Sequence, residues 1–286
     1  MENGIVSLYE DGEFLQWRKN KMSTYVISDI HGCYNEFLSM LEKIRFSGSD
    51  NLILAGDYID RGKQSYEMLR WIEQCPQNVL LLRGNHEEEF ASNIDLMRSV
   101  DRIEGLDTDF SSHMDTAALY GSVKYLLRQK KLPAIYFDLY STIGMLLGQN
   151  HVTLYDLCRW AEEIRRMPYH WEAEIADRNY IVVHAGYADS LEGTGGRFGS
   201  LEQFFLCARE ESLQSGGAAH SAIIAGHTPT IVKESFAYNA GNVFRYYDAG
   251  KDCVFYDIDC GCVFRDRNLE AKLACIRLED EKIFYV

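Results

Sequence analysis

The chain has 286 residues, of which 47% are hydrophobic and 25% charged, and a formal net charge of -14. That length buries a substantial core in one large domain or two small ones. The acidic balance argues against a nucleic-acid polymer as the main partner, because that needs a basic face, yet it leaves room for a local cationic pocket that takes one phosphate.

Residues 1–22 form an acidic-then-basic lead-in ending Arg18-Lys19-Asn20-Lys21-Met22. They read as an N-terminal extension to a single domain over 23–286. Glu2, Glu10, Asp11 and Glu13 interrupt any apolar signal stretch. No apolar run reaches the roughly 18 residues of a membrane span. The expectation is a cytoplasmic protein, without membrane partners, whose eight cysteines stay reduced. Cys260-Gly261-Cys262 is too closely spaced for a zinc knuckle.

From Thr24 apolar strands alternate with amphipathic helices. Tyr25 to Ile27, Leu52 to Ala55 and Val79 to Leu82 read as buried strands. Phe37, Leu38, Leu41 and Ile44 mark one helix and Tyr66 to Ile72 a second. Such alternation predicts an α/β protein with a parallel or mixed sheet covered on both faces. Residues 88–178 are rich in charges, Tyr, Leu and helix formers. They read as a helical insertion, with Leu154, Leu157, Cys158, Ala161 and Ile164 on one helix face. His113, His151 and His170 fall there and read as surface or core histidines. Strands resume at Tyr180 to Val183 and Ala222 to Ala225, with a helix over Leu201 to Leu213 between them. Cys253 to Ile258, Leu273 to Leu278 and Ile283 to Val286 read as antiparallel strands.

Five strand ends carry polar clusters: Asp29-Ile30-His31-Gly32, Gly56-Asp57-Tyr58-Ile59-Asp60-Arg61-Gly62, Arg83-Gly84-Asn85-His86-Glu87, His184-Ala185-Gly186 and Gly226-His227-Thr228-Pro229. In open α/β sheets ligands sit beyond the carboxyl ends of the strands. Asp29, His31, Asp57, Asn85, His184 and His227 supply oxygen and nitrogen donors without thiolate. That donor set suits a pair of divalent ions, Mn, Fe or Zn, sharing one carboxylate. Water between two such ions is acidic enough to yield hydroxide at neutral pH, which can attack phosphorus directly.

Together these clusters resemble the phosphoprotein phosphatase family of metallophosphatases, and most of all its bacterial and bacteriophage serine/threonine phosphatase branch. Asp259-Cys260-Gly261-Cys262 is similar to the Asp-x-Gly-Cys that closes the core in bacterial members. The resemblance implies a β-sandwich of mixed sheets flanked by helices. It implies that Asp29, His31 and Asp57 hold a first metal, with Asp57 bridging, and that Asn85, His184 and His227 complete a second, with Mn2+ the expected ion. It makes His86 the general acid, Asp60 its orienting carboxylate, and Arg61 and Arg209 the phosphate-binding arginines, with Arg197 as the alternative to Arg209. The implied activity is hydrolysis of phosphoserine or phosphothreonine in proteins, or of small phosphoesters. The competing activity is hydrolysis of dinucleoside polyphosphates, a branch that usually reads Gly-Asn-His-Asp. Glu87, Tyr58, Asp60 and Arg61 favour the phosphatase. Cys207 stands where relatives carry a large aromatic, which predicts a more open pocket wall.

Overall fold

A computed structural model describes residues 22–129, 131, 142–194, 196–214 and 219–286. Of the expected extension over 1–22, residues 1–21 lie outside the described residues. The strands are β1 (Thr24–Ile27), β2 (Asn51–Leu54), β3 (Val79–Leu81), β4 (His170–Ile175), β5 (Arg178–Val183), β6 (Ser221–Ala225), β7 (Phe244–Asp248), β8 (Cys253–Asp257), β9 (Ala274–Arg277) and β10 (Lys282–Tyr285). The helices are α1 (Tyr34–Ile44), α2 (Ser65–Ile72), α3 (Asn85–Glu104), α4 (His113–Arg128), α5 (Thr142–Gln149), α6 (Leu154–Arg166), α7 (Leu201–Cys207) and α8 (Glu211–Gln214).

Two mixed five-stranded sheets form, ordered β10-β9-β1-β2-β3 and β4-β5-β6-β8-β7. Side chains alternate along each strand, and here both faces are apolar. Val26, Ile53, Ala222 and Ile224 point into a core shared by the two sheets. Tyr25, Ile27, Leu52 and Leu54 point the other way, onto the helices. Ile181, Val183, Ile223 and Phe255 face outward from the second sheet onto Phe204 and Phe205 of α7. The result is the expected α/β sandwich flanked by helices.

Several elements differ from the sequence reading. α1 buries Phe37, Met40 and Ile44, whereas Leu38 is 41% exposed, so the buried stripe lies one position round from the predicted one. Among the described residues of 88–178, α3 to α6 supply the expected helices, but His170–Ile175 is an edge strand antiparallel to β5. β8 is antiparallel only to β7; it runs parallel to β6. The single helix expected over 201–213 is broken at Ala208, which is extended (φ -63°, ψ 143°). α6 begins with a reciprocal cap: Thr153 N donates to Asp156 Oδ2 at 2.9 Å and Asp156 N to Thr153 Oγ1 at 3.3 Å.

The inter-sheet core fixes how the two sets of strand ends face each other. Ile53 is fully buried in it. Ile53→Ala is expected to cost about 2–5 kcal/mol, read as a lowered urea midpoint with an unchanged slope; a loss much below that range would mean the sheets repack freely.

Candidate active site

All five strand-end clusters converge. β1 leads into Asp29 and His31, β2 into Asp57 and Asp60, and β3 into Asn85 and His86, the first two residues of α3. From the second sheet, β5 leads into His184 and β6 into His227. Asp57 is central. Its Oδ2 lies 3.4 Å from His31 Nε2, and its Oδ1 lies 3.4 Å from His184 Nε2. His31, Asp57 and His86 bring ligand-type atoms within 4.8 Å of one another, and so do Asp57, His184 and His227.

The tautomers follow from the carbonyls. His31 Nδ1 donates to the Ile59 carbonyl at 3.0 Å, and His184 Nδ1 to the Ala55 carbonyl at 2.9 Å. In the neutral rings each Nε2 therefore presents a lone pair. His184 Nε2 faces Asn85 Oδ1 at 3.0 Å, His227 Nδ1 at 3.2 Å and Asp57 Oδ1. The Asn85 and Asp57 oxygens are acceptors too, so this convergence is repulsive unless a cation lies among them. Asp29 Oδ1 is buried with no hydrogen-bond partner among the described residues. Its Oδ2 takes the Ser28 hydroxyl and the His227 N–H, the latter at 3.0 Å. Burial and the Asp29 charge push the Asp57 carboxyl well up, and burial with Arg61 and His86 pushes His31 well down. His227 is likewise pushed well down by burial, with His184 and Arg209 adding to it. Buried carboxylates beside neutral imidazoles fit divalent metal ions.

His86 Nδ1 lies 2.7 Å from Asp60 Oδ2, and its Nε2 lies 3.8 Å from Asp57 Oδ2. Burial, Arg61 and His184 lower His86 to about 2, and burial raises Asp60 to about 6. Arg61 Nη1 donates to His31 Nε2 at 3.0 Å. Arg209 sits in the break between α7 and α8 and donates to Thr228 Oγ1 at 3.2 Å and to the His227 carbonyl at 3.4 Å. The alternative, Arg197, is instead ion-paired with Glu211. Cys207 and Arg209 line a cleft of about 560 Å³ with Phe198, Thr228 and Phe236. Arg83 pairs with Glu88 and Tyr169, each at 2.8 Å, as a brace of the scaffold.

Two buried acids have a structural part here that the sequence pattern did not assign them. The first is Glu87, whose buried carboxylate accepts the N–H of Asp57 at 2.7 Å, Tyr58 at 2.8 Å and Gly84 at 3.1 Å. It caps α3 and holds the Asp57 loop in one stroke; the Gly84-x-x-Glu87 spacing is the signal that could have found it. Burial and Asp57 raise Glu87 to about 8. The second is Asp257, wholly buried at the end of β8 and pushed well up by burial, Asp259 and Asp29.

Left-handed backbone clusters here. Asp29 (φ 52°), His31 (46°), Asp57 (55°), Asp60 (69°), Arg61 (67°) and His227 (72°) all adopt it without being glycine. Such residues cost of the order of 1–3 kcal/mol each and gather where function requires them. The turns also need bare backbone: a Cβ on Gly226 would lie 2.0 Å from Asp29 Oδ2.

Comparison with known proteins agrees with this chemistry. The family model for calcineurin-like phosphoesterases matches residues 22–231. Over 67 residues the chain is 51% identical to the symmetrical bis(5'-nucleosyl)-tetraphosphatase of Buchnera aphidicola subsp. Baizongia pistaciae (strain Bp); that match covers 23% of this chain and 24% of the relative. The chain thus spans about a quarter of the length of such curated relatives. A candidate diadenosine tetraphosphatase structure is 16% identical, with TM-score 0.49 and 94% of each chain covered. A Saccharomyces cerevisiae protein serine/threonine phosphatase is 13% identical, with TM-score 0.47 and 94% of this chain and 80% of that one covered. Since the family model runs from just before β1 to just past β6 and takes in every converging cluster, the chain belongs to the calcineurin-like phosphoesterases, hydrolases that use divalent metals.

Proposed function

We infer that the protein is a phosphomonoesterase of the bacterial serine/threonine phosphatase type, acting on phosphoserine or phosphothreonine in proteins. In this reading Asp29, His31 and Asp57 hold one divalent ion, and Asn85, His184 and His227 with the shared Asp57 hold another, Mn2+ being the first choice. Such a pair supplies Lewis-acid polarisation and an acidified water. Arg61 and Arg209 grip the phosphoryl oxygens from two sides, a task that suits the guanidinium fork.

The observation that carries the reading is the 2.7 Å contact of His86 with Asp60 beside Asp57. A positioned proton donor matters most for a poor leaving group such as a serine or threonine alkoxide, and less for a polyphosphate, which leaves as a stable anion. Asp60 holds the imidazole by Nδ1, so that Nε2 can deliver the proton. Burial and the Arg61 cation oppose protonation of His86. A phosphate dianion seated on Arg61 offsets that cation, so the proton is best held once substrate is bound.

The second reading, hydrolysis of dinucleoside polyphosphates, is favoured by the 51% identity over 67 residues to the Buchnera tetraphosphatase. The two readings separate in one experiment: rates on phosphoserine peptides and on diadenosine tetraphosphate, measured side by side. Faster turnover of the peptides is expected, and a clear preference for the dinucleotide overturns the first reading.

Chelation followed by dialysis is expected to abolish hydrolysis of an aryl phosphate, and Mn2+ to restore it; activity that survives complete metal removal contradicts the two-ion assignment. His86→Asn is expected to slow turnover of an alkyl phosphomonoester by about 10²-fold or more, with metal content unchanged. Equal turnover by the variant and the wild type would remove His86 from the proton-donor role.

A further inference from the structure

Among the described residues one more cluster has metal-ligand chemistry, and it shares no residue with the histidine–carboxylate centre. The ligand-type atoms of Cys33, Glu36 and Cys262 all lie within 4.8 Å of one another, and both cysteines are buried. Two distant parts of the chain build it. Cys33 is the N-cap of α1 and Glu36 lies in its first turn, so the spacing of three sets both on one face. Cys262 follows Gly261, whose left-handed backbone (φ 75°) turns the chain into a 3-10 turn over Cys262–Phe264.

The surroundings are those of a built site. Cys33 N donates to the Ile30 carbonyl at 3.0 Å, and the preceding Gly32 N donates to the Tyr58 carbonyl at 2.7 Å. Gly261 N is held by Asp259 Oδ1 at 2.9 Å. Arg265 Nη1 lies 2.6 Å from Glu36 Oε1 and so fixes the carboxylate from outside, as partners of metal ligands do. Cys33, Glu36 and Cys262 also line a cleft of about 580 Å³ that gives entry from solvent. Two thiolates and a carboxylate around a divalent ion leave one negative charge, which Arg265 balances. Thiolate donors select soft or borderline ions, and two sulfurs with one oxygen suit tetrahedral Zn2+ with its fourth position open.

We propose that Cys33, Glu36 and Cys262 bind a zinc-class divalent ion at the base of this cleft. The ion ties the loop that carries Asp29 and His31 to the loop that carries Asp259, and so braces one side of the catalytic centre. It is a thiolate site, chemically unlike the nitrogen and oxygen centre beside it, which lets spectroscopy tell the two apart.

The test is Co2+ titration of the full-length protein under a non-chelating reductant, following thiolate-to-cobalt charge-transfer absorption. The band is expected to saturate at one thiolate-bound Co2+ per chain beyond the two taken by the histidine–carboxylate centre, to vanish in Cys33→Ser and Cys262→Ser, and to persist in Cys260→Ser, a buried cysteine outside the cluster. No band in the wild type at saturating Co2+, or a band retained when Cys33 and Cys262 are both replaced, overturns the proposal. Should the serine variants fail to fold, X-ray absorption of the Zn2+-loaded wild type decides. Sulfur neighbours at about 2.3 Å support the site, and a first shell of nitrogen and oxygen alone refutes it.

Discussion

The structure turns on the carboxylate of Asp57. One oxygen faces His31 and the other faces His184, each at 3.4 Å, and the residue itself is 2% exposed. A carboxylate so placed is costly, because burial removes water and Asp29 adds like charge. Around it the fold arranges restraint. Glu87 takes the Asp57 N–H, the Asp57 carbonyl takes the His31 N–H at 2.8 Å, and Asp57 Oδ1 takes the His86 N–H at 3.1 Å. The left-handed residues on both sides persist because these bonds over-determine the loop. A cation at the convergence would offset the buried charge, and would then link stability to metal occupancy.

The centre is also where two layers meet. The first sheet delivers Asp29, His31, Asp57, Asn85 and His86, and the second delivers His184 and His227. No single sheet holds the set. The spacing between the two groups is set by the packing of Val26, Ile53 and Leu82 against Val182, Ile224 and Tyr256. His184 Nδ1 bonds the Ala55 carbonyl across this boundary, joining a second-sheet side chain to first-sheet backbone. A packing change between the sheets is therefore also a change in the geometry of the convergence.

Much of this was legible in the sequence because buried strands are continuous apolar runs and each ends in a distinctive cluster. The convergence of Asp29, His31, Asp57, Asn85, His86, His184 and His227 followed from that order. What escaped depends on contacts that local pattern does not encode. β4 reads His-Trp-Glu-Ala-Glu-Ile, an alternating strand, but it follows α6 with only Met167, Pro168 and Tyr169 between. The direction of β8 is decided by partners far away in the chain. The break at Ala208 has no glycine or proline to announce it, yet it places Arg209 beside Thr228 rather than on a helix face. Asp257 closes an apolar run without any motif, and only burial marks it.

The start of α3 lies where these features meet. Asn85 and His86 are its first residues, so the positive end of the helix dipole lies at the convergence. That end attracts an anion and, with Arg61, disfavours a proton on His86. Asp60, raised to about 6 by burial, is a weakened counter-charge on its own. In the proposed function, the same features that would favour a bound phosphate keep His86 neutral in its absence. Under that proposal, a bound dianion would offset the Arg61 cation and the helix end together, so that holding the substrate and protonating His86 would be coupled.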